Sequence, residues 1–141
     1  MGIGLKRSEL QSIAKIKLKD AQLLLAHKRY ANAYYLAGYS VEIGLKACIA
    51  RQIVVETIPD RTWIKKIFQH DFISLIGAAG LAEELKNKQD EDSNFGANWG
   101  IAAQWNPDTR YLTKDAYSAQ IIIESISDKD HGVLPWIQTH W

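Results

Sequence analysis

One cysteine, one methionine and three prolines are all that the 141 residues hold of these types. A lone thiol, Cys48, excludes an intrachain disulfide framework and a metal site built from several thiolates. The four histidines, His27, His70, His131 and His140, are widely scattered, so no pair has metal-ligand spacing and no metal or other cofactor is expected. A glycine-rich phosphate loop is also missing, because Gly2-Ile3-Gly4 precedes every regular element and follows no strand. No apolar run reaches the length of a bilayer, and MGIGLKRSEL lacks the apolar core of a signal peptide. The expectation is a cytoplasmic protein with no membrane partner. Charge of one sign is scarce too: the formal net charge is +1, which argues against a strong sequence-independent grip on nucleic acid but leaves room for a local basic patch. Alternating strand patterns, internal repeats and low-complexity tracts are absent.

What is present is helical. With 47% hydrophobic and 23% charged residues, the composition fits one soluble globular domain over 1–141. Ser8-Glu9-Leu10-Gln11 has the form of a capping box. Leu10, Ile13, Ala14, Ile16, Lys17, Ala21, Leu24 and Leu25 then recur at helical intervals to about His27. A second helix is expected from Tyr30 to about Val55, with Tyr30, Tyr34, Ala37, Val41, Leu45, Cys48 and Ile49 along one stripe. The short connection makes the two antiparallel neighbours. Pro59 suits a helix start, and Trp63, Ile64, Ile67 and Phe68 mark a short helix after it. Phe72 to Ala79 follows, stopped by Gly80; residues 81–90 form a charged helix, and Gln89 to Asn94 read as a solvated bend. Asn98 to Trp105 is a brief aromatic segment and Asn106-Pro107-Asp108 a turn. The last long helix is expected over 113–127 with Ala116, Ala119, Ile122, Ile123 and Ile126 inward, and a short terminal helix over 133–137. The fold class is all-α, an antiparallel bundle of four to five helices.

The richest segment is residues 30 to 50, YANAYYLAGYSVEIGLKACIA, where Glu42 and Lys46 sit at i and i+4 inside an apolar, small-residue-rich run. Charges there need partners. They can pair with each other on a surface, or reach Arg110 and the nearby Asp108 and Asp115. Arg110 follows a Pro-Asp turn, from which its guanidinium could pair with an acid or present a fork to a phosphate. His70 reads either as a helix-boundary residue or as a polar group near Glu42. Ser40 reads as helix-face packing and Cys48 as a small buried hydrophobe. Gly38 and Gly44, costly in a helix, suggest close approach of another backbone or of a partner chain. Of the five tryptophans, four lie beyond residue 98 and read first as core or interface anchors, second as stacking platforms for bases.

The run Ala33 to Glu42 followed by Leu45-Lys46-Ala47-Cys48-Ile49 resembles the signature helix of HEPN-domain proteins. His70-Asp71-Phe72 with Ala79-Gly80-Leu81, then Asn98-Trp99, Trp105 and Arg110-Tyr111, and finally Gly132 to Ile137 resemble the rest of that family in order. The resemblance implies a helical bundle, commonly a homodimer with a polar interfacial site. Many such proteins are metal-independent RNase toxins whose arginine is followed, after four to six residues, by a histidine. By analogy the arginine maps to Arg110, but Asp115, Ala116 and Tyr117 occupy the histidine's places. The resemblance therefore points to a non-catalytic module binding a nucleotide, an RNA or a protein partner through Glu42, Lys46, Arg110 and Asp115. Such a module would serve a toxin–antitoxin or defence system beside a nucleotidyltransferase. The alternatives are an RNase with a diverged site built from Arg110, Asp115, Tyr117 and His70, or a purely structural partner of that nucleotidyltransferase.

Overall fold

The computed structural model describes residues 4–141 and is all-helical. Of the Gly2-Ile3-Gly4 segment, Gly2 and Ile3 lie outside the described residues. The elements are α1 (Arg7–Ala26), α2 (Tyr30–Arg51), α3 (Arg61–Ile67), α4 (Phe72–Ala78), α5 (Ala82–Glu91), α6 (Ser93–Ala102), a 3₁₀ turn (Pro107–Tyr111), α7 (Ala116–Ser127) and α8 (Val133–Gln138).

Helix α2 is the axis of the bundle. It is buried on nearly every side from Ala33 to Ile49, and α1, α4, α7, α8 and the 3₁₀ turn all pack against it. Its small residues allow this. A Cβ on Gly38 would fall inside the indole of Trp105, and one on Gly44 would lie 3.2 Å from Ile137 and Leu134. The close approach expected at these glycines therefore comes from side chains of the same chain, not from a second backbone or a partner. Cys48 donates to the Ile137 carbonyl at 3.8 Å, and burial pushes its thiol pKa up to about 12, so it is inert packing. Ser40 donates to the Ala37 carbonyl at 2.6 Å within the helix, again packing. Trp99, Trp105 and Trp136 are buried and Trp141 is partly buried, which makes the first three core anchors and removes them as stacking platforms.

Several boundaries differ from the sequence pattern. Helix α1 starts at Arg7 with Lys6 as N-cap and no side-chain cap, so Ser8 to Gln11 lie within its first turns and form no capping box. Of its expected stripe, Ile13 and Ile16 face solvent, whereas Leu18 packs on the core. Helix α2 stops at Arg51, short of Val55. Ile53, Val54 and Val55 are at least half exposed, so no burial offsets the rotamer restriction of three β-branched residues in a helix. The expected bend at 89–94 narrows to Asp92, which ends α5 and caps α6 by accepting from the Phe95 amide at 3.0 Å. The aromatic segment from Asn98 is the second half of α6. Helix α7 begins at Ala116, which is exposed, with Asp115 as its cap. Gly80, at φ +71, terminates the α4 region in the left-handed conformation that only glycine adopts without cost.

One polar clasp joins distant parts of the chain. His131, in the α7–α8 connection, contacts Asp92 Oδ2 through Nδ1 at 2.7 Å, and Lys88 Nζ forms an ion pair with the same oxygen at 3.3 Å. The hydrogen bond from His131, followed by that from the Phe95 amide, holds the Asp92 carboxyl down to about 2. The same bond raises the His131 pKa, helped by the charges of Asp92, Asp128 and Asp130.

Gly38→Ala must displace Trp105 and should lower unfolding free energy by about 2 kcal/mol in a urea titration. For the clasp, a raised histidine pKa stabilises the fold below about 6.5, and this is lost as pH rises through the raised value. The depressed Asp92 stabilises above about 3.8, and this is lost as pH falls toward about 2. His131→Asn should therefore lower Tm clearly at about pH 5.5 and much less at about pH 9, as read by thermal unfolding.

Candidate functional site

The polar face of α2 is built from residues one turn apart. Tyr35, Tyr39, Glu42 and Lys46 follow three- and four-residue steps, which place them along one side of the helix. Glu42 is 1% exposed, so its carboxylate cannot rely on water. Each of its oxygens has a protein partner: Lys46 Nζ donates to Oε2 at 3.4 Å, and His70 Nδ1 lies 2.7 Å from Oε1. A carboxylate at that distance accepts from Nδ1–H, which leaves Nε2 as the free ring nitrogen. The His70 side chain is 55% exposed and Lys46 is 17% exposed, so Glu42 forms a buried anchor beneath two heads that reach the surface.

Local structure holds His70 in place. It belongs to the turn between α3 and α4, where Asp71 caps α4 by accepting from the Ser74 amide at 2.9 Å. The other side of the turn is fixed by Trp63, whose Nε1 donates to the Ala78 carbonyl at 2.8 Å. Thus α3, although none of its residues is fully buried, is tied to α4 and brings His70 to α2.

Toward the other end of the face, Lys17 of α1 stands 5.9 Å from the Tyr39 ring centroid. Lys17, Tyr39, Glu42 and Lys46 share a hollow of about 260 Å³ floored by Leu10 and Ile43. Tyr39 packs edge-on to Tyr35 at 5.7 Å and to Trp105 at 6.2 Å. Trp105 is itself pinned by donation from Nε1 to the Tyr35 carbonyl at 3.1 Å and by stacking on Phe72 at 5.6 Å. Burial raises the Tyr39 phenol pKa, and Glu42 adds to the rise while Arg110 opposes it. The phenol therefore lies between acid and guanidinium and keeps its proton.

Arg110 lies in the 3₁₀ turn, with its guanidinium 4.9 Å over the Tyr111 ring; Tyr111 and then Tyr35 hold its pKa above the usual value. Among the described residues it makes no ion pair with Glu42, and neither do Asp108 and Asp115 with Lys46. The company that Glu42 finds is His70, with Arg110 at the margin beyond Tyr39. Asp115 is spent on the N-terminus of α7, accepting from the Ser118 amide at 2.7 Å, and that bond lowers its pKa. Tyr117 is largely exposed on α7. The residues brought together are thus Glu42, Lys46 and His70, with Lys17 and Tyr39 beside them. Lys17 and Tyr39 are not among the site residues that the sequence points to. The Tyr39-to-Glu42 spacing was visible, but nothing in the sequence set α1's Lys17 against it.

Comparison with known protein-family models, curated proteins and solved structures finds no match. No group of His, Cys, Asp and Glu among the described residues has the geometry of a metal site, and no described helix is long and apolar enough to cross a membrane.

The anchor can be tested by stability. Removing both surface heads with Lys46→Met and His70→Phe leaves the Glu42 carboxylate buried and unpaired, which should cost about 3 kcal/mol. Glu42→Gln keeps a hydrogen-bonding group below Lys46 and His70 and should cost clearly less. Chemical unfolding of the three proteins decides; equal losses would mean that Glu42 is hydrated after all.

Proposed function

We propose that this chain is a non-catalytic HEPN-type binding module whose α2 face holds a phosphate-bearing ligand, a nucleotide or an RNA end. The observation that supports this reading most directly is the buried Glu42 beneath His70 and Lys46. A carboxylate engaged on both oxygens fixes the Lys46 ammonium and the His70 ring at the surface and turns no free acceptor edge toward a ligand. Lys17 and Arg110 add cations at the edges, and the Tyr39 ring supplies an apolar surface against which a base or sugar can rest. In this reading Arg110 contacts a second phosphate and Asp115 serves α7 alone. The family resemblance adds a homodimer, a nucleotidyltransferase-type partner and a setting in a toxin–antitoxin or defence system, by analogy only.

Calorimetric titration with nucleotides and a short single-stranded RNA tests the ligand. Binding should weaken as salt is raised. Lys46→Ala should weaken it about tenfold, in line with the loss of one charge-assisted hydrogen bond, and His70→Ala should weaken it as well by freeing one oxygen of Glu42 to oppose the anion. Absence of heat with every nucleotide and RNA would end the proposal.

A second reading draws on one observation, the free Nε2 of His70 with Glu42 behind it. That pair has the form of an oriented general base, and it would make the chain an RNase with a diverged site. Cleavage of structured RNA that disappears in both His70→Ala and Arg110→Ala would support it. Cleavage untouched by either substitution, or none by the unaltered chain, rejects it.

A further inference from the structure

Lys46 also borders a second hollow, which shares Leu5 and Leu10 with the first but not Lys17, Tyr39 or Glu42. Leu5, Leu10, Ile49, Ile53, Ile67 and Phe68 surround a cleft of about 340 Å³ between the segment leading into α1, the last turns of α2 and the end of α3. Its volume falls within the range of small-molecule sites, which are mostly apolar with few polar groups. Here Lys46 is the one charged side chain among the lining residues. Its ammonium carries three donors and its one bond within the protein is the 3.4 Å contact with Glu42, so two N–H groups remain for a ligand. Both Glu42 oxygens are turned to their own partners and offer an incoming anion no free acceptor edge.

This combination restricts the ligand's chemistry. A sugar or nucleobase placed against Leu10, Ile53 and Phe68 would bury its polar edges without partners, at substantial cost. An aliphatic chain has no such edges, and a single anionic head complements the single cation. Phe68 and Ile53 are exposed apolar side chains, 67% and 50%, that a chain in the cleft would cover. We propose that this cleft binds a medium-chain aliphatic carboxylate, with its chain against Leu10, Ile53 and Phe68 and its head on Lys46. The inference is separate from the phosphate reading, with which it shares Lys46.

The test is titration of the full chain with octanoate, hexanoate and 1-octanol, followed by calorimetry. Octanoate should bind saturably at one site and about sixteenfold more tightly than hexanoate, since each of its two extra buried methylenes contributes about fourfold. It should also exceed 1-octanol at least tenfold. Ile53→Asp sets a like charge in the cleft from a half-exposed position, so the fold survives and octanoate binding should be lost, while any nucleotide binding persists. Lys46→Gln should bring octanoate down to the affinity of octanol. Non-saturable binding, equal affinity for octanoate and octanol, or indifference to Ile53→Asp overturns the proposal. Should Lys46→Gln not fold, the octanol comparison and Ile53→Asp decide alone.

Discussion

A carboxylate taken out of water must be met by donors on both oxygens, and the polar face of this protein is organised by how Glu42 meets that demand. Lys46 comes from the same helix, one turn on, at almost no cost in chain organisation. His70 comes from 28 residues away and requires the turn between α3 and α4 to be held against α2. The Asp71 cap and the Trp63 bond to the Ala78 carbonyl do this holding. Two surface heads, a fixed imidazole tautomer and the placement of a whole helix thus follow from one buried acid. The ion pair need not add stability over an apolar replacement; its specific role is to set which groups stand where.

The same helix has to be packed from nearly all sides, which explains its composition. Alanine, glycine and serine on α2 let α1, α7, α8 and the indole of Trp105 come close, and each would be displaced by a larger residue. Trp105 links the two themes. It fills the notch at Gly38, stacks on Phe72 next to the His70 turn and bears on Tyr35 and Tyr39. Core packing and site geometry are therefore one construction here, since the residue that closes the core also backs the aromatic part of the face.

Much of this was legible in the sequence wherever the signal is local. The periodic runs gave α1, α2 and α7 and the start of α8; Pro59, Gly80 and the Asn106-Pro107-Asp108 turn gave the breaks; the apolar setting of Glu42 showed that it needed partners. Nonlocal facts were less legible. Glu42 could pair with Arg110 or with His70 as far as spacing goes, and only the packing of α3 and α4 selects His70. Asp115 looked like a charge available to a site, yet its position just before α7 commits it to the helix amides. The clasp of His131 on Asp92 joins residues 39 apart that no periodic pattern relates. Ile13 and Ile16 match the helical period but sit on the exposed side of α1, because period alone gives a stripe's spacing and leaves its width to the neighbours.

Helix α3, which packs on α4, has no fully buried residue, while α2 has thirteen. Local opening free energy scales with such burial, so the segment from Gln52 to His70 belongs to the low-stability end of the molecule and α2 to the high end. Glu42 therefore has one partner on the most protected element and one on the least. A local opening of α3 would part His70 from the carboxylate before the buried core of α2 loosened.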